Sequence, residues 1–222
     1  MALIAVSGAG GYVGRALVRR LSTQNRQVRA NVRRGPPLPN VQTIVGDLSE
    51  RNTAARLVQM ADVIIHCAAY TGDGDKARAT RDNVLSTRAI CDAMKPGQRL
   101  VFLSSVAVYG KKVQRQTAET AALAPEPSIY AMSKVQAEKY IEQHVKNAII
   151  LRPGLVWGGS DRRLVGALYD LLKSRLLILP GPCDTPLPLT HLDNLLDGIE
   201  LAIDSEATGP FNLTDDANIS FA

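Results

Sequence analysis

Apolar residues fall into two alternating patterns along the chain. Short, nearly unbroken apolar runs occupy residues 3–6, 28–32, 41–45, 63–66, 100–103 and 148–151. Between them, residues 12–21, 53–60, 79–94 and 130–145 repeat apolar positions at helical spacing. The short runs read as strands and the longer ones as helices. Strands alternating with helices imply parallel neighbours joined by helical crossovers. Unbroken apolar strands fit that arrangement, because helices cover a parallel sheet on both faces. The pattern thus predicts an α/β fold over residues 1–153: a doubly wound parallel sheet. Past Arg152 and Pro153 the pattern loosens, with loop signals at Gly158-Gly159 and over 180–188. Helices are expected near 164–173 and 192–203. Residues 154–222 are expected to form a small C-terminal cap, interwoven with the first domain.

Composition narrows the class. A chain of 222 residues, 45% hydrophobic and 21% charged, suits one folded α/β domain with a small appendage and not a disordered segment. No run of 18 apolar residues occurs, so no membrane-spanning helix is expected. Residues 1–6 meet glycines at once and read as a first strand, not a targeting segment. Cys67, Cys91 and Cys183, like His66, His144 and His191, are scattered. That spacing offers neither a disulfide framework nor a metal site, and it points to a reducing cytoplasm. Residues 1–46 carry seven arginines and no acid, a charge of +7, leaving −2 for the rest of a chain whose net charge is +5. Basicity confined to one end suits a small polyanion and not a nucleic acid. Arg15, Arg19, Arg20 and Arg26 read as solvated helix faces, whereas Arg33 and Arg34 are candidates for the polyanion.

Chemistry enters at the first turn. Gly8, Gly11 and Gly14 stand three apart, between the first strand and the first helix. Glycine lets the backbone turn tightly and admits a pyrophosphate where a Cβ would block it. The free N–H groups and positive end of the helix then hold the phosphates. The spacing reads as the phosphate-binding turn expected of a Rossmann sheet, with Tyr12 and Val13 inside it. The second strand ends in Arg33-Arg34, with no acid beside them for the ribose hydroxyls of NAD. An arginine there suits a 2′-phosphate, which favours NADP while leaving NAD possible. Asp47-Leu48 follow the third strand, where Asp47 reads as an adenine neighbour or as the N-cap of the next helix.

Tyr130 and Lys134 open a helix four residues apart and share one face. A free phenol has a pKa of about 10, and a nearby ammonium lowers it toward a usable general acid and base. Ser104-Ser105 follow the fifth strand at its carboxyl end, where open parallel sheets bind ligands. Capping or turn formation suits Ser104 better than Ser105.

The order of motifs resembles the extended short-chain dehydrogenase/reductase family. It comprises the glycine turn, Asp47-Leu48, His66-Cys67-Ala68-Ala69, Asn83, Ser104 to Gly110, Tyr130-x-x-x-Lys134, Arg152-Pro153-Gly154 and 189–195. The resemblance implies Ser105 as the carbonyl-orienting hydroxyl, Tyr130 as acid and base, and Lys134 as its partner. It places Ala68, Ala69 and Pro153 along the cofactor, with Asn83 bracing the site. The implied reaction is hydride transfer at a carbon bearing oxygen. A nucleotide-sugar epimerase or 4-ketoreductase comes first. A ketone reductase of the 3β-hydroxysteroid dehydrogenase or dihydroflavonol reductase kind comes second, and a non-catalytic NADP sensor third. The resemblance also admits a homodimer.

Overall fold

The computed structural model describes residues 1–112, 117–125, 127–159 and 187–215. The six expected strands form close to their predicted bounds: β1 (Leu3–Ser7), β2 (Gln27–Val32), β3 (Gln42–Val45), β4 (Val63–His66), β5 (Arg99–Leu103) and β6 (Ala148–Pro153). Three more appear that the hydrophobic pattern does not announce: β7 (Leu155–Trp157), β8 (Leu189–His191) and β9 (Gly209–Leu213). The main sheet runs β3-β2-β1-β4-β5-β6-β9, with all neighbours parallel, and β7 pairs with β8 beside it. The chain leaves β1 toward β2 on one side and later crosses to β4 on the other. The strand order therefore reverses at β1, where such sheets open a ligand crevice.

Alternate residues of the central strands feed two cores. Ile4, Val6, Ile65, Val101 and Ile149 face α1 (Tyr12–Thr23) on one side. Ala5, Ile64, Leu100, Phe102 and Ile150 face α2 (Arg51–Val58) on the other. The segment predicted as one helix over 79–94 is α3 (Lys76–Ala79), a wider π turn (Thr80–Leu85) and α4 (Ser86–Ala93) in succession. The π turn carries Asp82 and Asn83, both buried. Helix α5 (Ile129–His144) lies on the same face as α2 and α4, and α6 (Leu192–Asp204) packs beside α1.

Past residue 153, the described chain adds β9 to the outer edge of β6 and lays α6 across the sheet. Arg99 pins that helix: Nε donates to the Ala202 carbonyl at 2.7 Å and Nη2 to Ala207 at 2.6 Å. The same helix corrects the charge reading. Arg20 pairs with Asp197 and Glu200, and Arg26 with Asp204 at 2.9 Å, so neither is merely solvated. The arginine-rich start of the chain is thus partly neutralised by acids nearly two hundred residues away. The helix predicted near 164–173, the loop over 180–186 and Cys183 lie outside the described residues.

Candidate active site

The glycine turn between β1 and α1 has the geometry its spacing demands. Gly8 has φ +68°, and a Cβ there would stand 2.7 Å from the Ala68 backbone. A Cβ on Gly14 would overlap the Gly8 carbonyl, while the Gly11 N–H donates to that carbonyl at 2.9 Å. No side chain caps α1 and no acid stands in its first turn, so the helix presents free N–H groups to an anion.

Above this turn lies a cavity of about 770 Å³. Gly8 and Gly11 form its floor, and Ala68 and Ala69, after β4, one wall. Arg33 and Arg34, after β2, and Asp47 and Leu48, after β3, close the other side. The volume suits a cofactor, and the floor is a cradle that any larger side chain would fill. Tyr12, Val13, Gly14, Asn83, Tyr130, Lys134 and Pro153 do not line it. The Tyr12 hydroxyl instead donates to the Gly158 carbonyl, and Pro153 closes β6 opposite Leu213.

Charge at the far end of the cavity differs from the sequence reading. No acid neighbours Arg33 in sequence, yet its Nη2 lies 2.8 Å from Asp82 and its Nε 3.7 Å from Asp47. Asp47 is not a helix N-cap: α2 begins at Arg51, and Asp47 accepts the Ser49 N–H at 2.9 Å in a tight turn. Burial works against its charge, but the Ser49 bonds and the Arg33 and Arg81 guanidiniums hold its carboxyl below the ordinary range. Arg78, Arg81 and Asp82, also on the cavity wall, were not predicted. Arg81 and Asp82 sit inside what reads as an ordinary helix and fall on the π turn, while Arg78 lies on α3, ahead of the predicted helix.

Helix α5 positions the proposed acid and base. Ser128 caps it, accepting the Ala131 N–H at 3.1 Å, and Asp73 accepts both the Ser128 hydroxyl and the Tyr130 N–H at 2.8 Å. The Tyr130 carbonyl accepts the Ser133 hydroxyl at 2.7 Å, and Asn83 Nδ2 donates to that hydroxyl at 2.7 Å. Asn83 also clamps the Tyr70 N–H and carbonyl, tying the segment after β4 to α5. Lys134 is buried, donates to the Leu103 carbonyl at 2.6 Å and lies 4.6 Å from the centre of the Phe102 ring. Burial pushes its amine down to about 8, against the pull of Glu138 one turn on.

The turn-forming part expected of Ser104 falls to Ser105. Ser105 Oγ accepts the Ala107 N–H at 3.2 Å in a turn, while buried Ser104 donates to Glu138. Glu138 is 0% exposed and is gripped by Arg152 at 3.1 and 2.6 Å. Arg152 also donates to the Tyr109 hydroxyl at 2.6 Å, which donates to Asn212 on β9 at 2.9 Å. Glu138 escaped the sequence reading, although it follows Lys134 by four residues on the same helix face. His66 spans Ser7 Oγ at 2.7 Å and Thr87 Oγ1 at 3.0 Å. Burial, with Lys134 nearby, pushes its ring down to about 3, so it is neutral near pH 7.

Known proteins share this architecture. A sequence profile of the NAD dependent epimerase/dehydratase family matches residues 4–214. The chain is 30% identical over 96% of its length to a 4-hydroxy-2-methyl-3-oxo-4-farnesyl-3,4-dihydroquinoline-1-oxide ketoreductase of Stigmatella aurantiaca, of which it covers 68%. It is 31% identical over 80% of its length to a ceramide reductase of Caulobacter vibrioides, of which it covers 53%. The chain thus spans about half to two thirds of these relatives. Among solved structures, MoeE5 in complex with UDP-glucuronic acid and NAD superposes with a TM-score of 0.86 at 24% identity, over 100% of this chain and 79% of that one. No described helix is long and apolar enough to cross a membrane. The seven-stranded parallel sheet, the glycine cradle and the matched profile agree: the chain belongs to the NAD dependent epimerase/dehydratase family.

Proposed function

We propose that this chain is an NADP(H)-dependent oxidoreductase that interconverts a ketone and a secondary alcohol. One observation carries the reading: the buried Lys134 amine sits one turn beyond Tyr130 and is anchored to Leu103, two residues before Ser105. Bound in the cavity, the cofactor would supply or accept the hydride. Tyr130 holds the exchangeable proton at its phenolic oxygen, and the Lys134 charge keeps that phenol acidic enough to release it. The Ser105 hydroxyl donates to the substrate oxygen as charge builds on it. Gly8 and Gly11 receive the pyrophosphate, and Gly14 lets the start of α1 pack against the turn. Arg33, with Arg34 beside it, meets the 2′-phosphate that distinguishes NADP. Residues beyond 153 contribute the substrate contacts. An intact Ser105, Tyr130 and Lys134 weighs against a non-catalytic sensor.

Four relatives at 30% identity or above are named as reductases, which supports ketone reduction. A nucleotide-sugar epimerase is the second reading; the likeness at 24% identity supports its fold alone. The experiment is incubation of apolar ketones with NADPH and of UDP-sugars with NADP or NAD. Stoichiometric loss of NADPH absorbance with a ketone supports the reading. Conversion of a UDP-sugar to its epimer without net reduction of the oxidised cofactor would replace it.

A further inference from the structure

The cavity has a second cationic wall. Arg78 on α3 and Arg81 on the π turn stand three residues apart and face Arg33 across Asp82. The Asp82 carboxylate, 2% exposed, receives all three: Arg33 Nη2 at 2.8 Å, Arg81 Nε at 2.8 Å and Arg78 Nε at 3.5 Å. Arg78 is further fixed over the Tyr70 ring, 4.7 Å from its centre. A buried carboxylate beneath three guanidiniums removes the repulsion that would otherwise drive them apart. Its own charge is covered, so it does not confront an incoming anion.

Ligand chemistry follows from the charge count. Four arginines line this cavity, Arg33, Arg34, Arg78 and Arg81, against two carboxylates, Asp47 and Asp82. The surplus is two positive charges. A phosphate monoester carries about −1.5 to −2 near pH 7. We infer that Arg78 and Arg81 form a second half of the 2′-phosphate site, clasping the phosphate from the side opposite Arg33, with Asp82 as the fixed counter-ion that spaces them. This rests on the NADP reading above and assigns to the π turn a selectivity that the end of β2 does not supply alone. Arg78 and Arg81 have side chains 51% and 47% exposed, so each contributes through a partly wet contact. A charge-assisted bond of that kind is expected to give roughly three- to tenfold in affinity.

The test is calorimetry of the full chain with NADP, NAD, 2′,5′-ADP and 5′-AMP, on wild type, Arg33→Ala and the double variant Arg78→Ala/Arg81→Ala. Wild type is expected to favour NADP over NAD and 2′,5′-ADP over 5′-AMP. The double variant should lose about tenfold or more for the two 2′-phosphates, and added salt should shrink the difference from wild type. NAD and 5′-AMP should hold their affinities. If the double variant keeps full NADP affinity while Arg33→Ala loses it, the second wall is overturned and the NADP reading stands. If wild type does not discriminate, both fail together. Equal weakening of all four ligands would also overturn the inference, because the arginines would then merely shape the cavity. Should the double variant not fold, Arg78→Ala carries the test, since its contact with Asp82 is the longest of the three. A threefold loss confined to the 2′-phosphates is expected there, and no loss overturns the inference.

Discussion

Two clusters in this molecule combine arginine or lysine with a carboxylate, at opposite ends of the site. At the cavity rim, Arg33, Arg78 and Arg81 gather on Asp82 with their own side chains 39%, 51% and 47% exposed. Beneath α5, Glu138 and Arg152 are 0% and 2% exposed, and Lys134 lies beside them. The rim guanidiniums are partly hydrated and buried Asp82 holds three of them, so one can share itself with a ligand without leaving the carboxylate alone. A dry pair cannot change partners without stranding a charge. The rim is therefore suited to recognition, and the dry cluster to fixing where Tyr130, Lys134 and Ser105 stand.

The largest effect should come from the phenol that the dry cluster positions. Tyr130→Phe is expected to lower kcat by about 10²–10⁴ while NADP affinity, read by calorimetry, stays near wild type. Near-normal turnover would remove Tyr130 from the chemistry. Next in size is Glu138→Gln, which leaves Arg152 buried and uncompensated. Urea unfolding should show a loss of about 3–5 kcal/mol, and Glu138→Gln with Arg152→Met should recover most of it. If the double change is no better than the single one, the pair is not the unit that burial makes it.

A pH profile sharpens the same contrast. Burial lowers the Lys134 amine to about 8, so its charge is present below that pH and lost above it. The kcat/KM profile should therefore fall as pH rises through about 8, and Glu138→Gln should move that limb lower. A limb unmoved by Glu138→Gln would mean the carboxylate does not act on the amine. The smallest effect belongs to the wet surface. Arg26→Ala breaks a pair with Asp204 whose side chains are 36% and 58% exposed. It should cost about 0–1 kcal/mol in the same urea experiment. A cost matching that of Glu138→Gln would show that exposure does not separate the two regions.

Hydrophobic pattern made the sheet legible as far as β6, because each of its strands is a buried apolar run. It did not show β9, whose five residues include Pro210 and are only partly buried at the edge of the sheet. Strands β7 and β8 have three residues each, too few to display a period. Motif spacing marked Gly8 and Gly11, which line the cavity, and it picked out Tyr130 and Lys134, which stand one turn apart on α5. Asp82 and Glu138 were illegible because Arg33 and Arg152, which mark them out, come from other elements of the fold. Each looks like an ordinary polar position on a helix until the fold brings an arginine to it. The charge of residues 1–46 misled for the same reason, since α6 supplies the answering acids.

Strand β9 completes the main sheet late in synthesis. Synthesis proceeds from the N-terminus, so β1 to β6 emerge from the ribosome well before residues 209–213. Until then the outer edge of β6 offers its backbone N–H and carbonyl groups to any passing strand. Asn212, the partner of Tyr109 in the dry network, arrives with that late strand. The nascent chain must thus travel with an open sheet edge and an unfinished core network, the interval in which a chaperone would matter most.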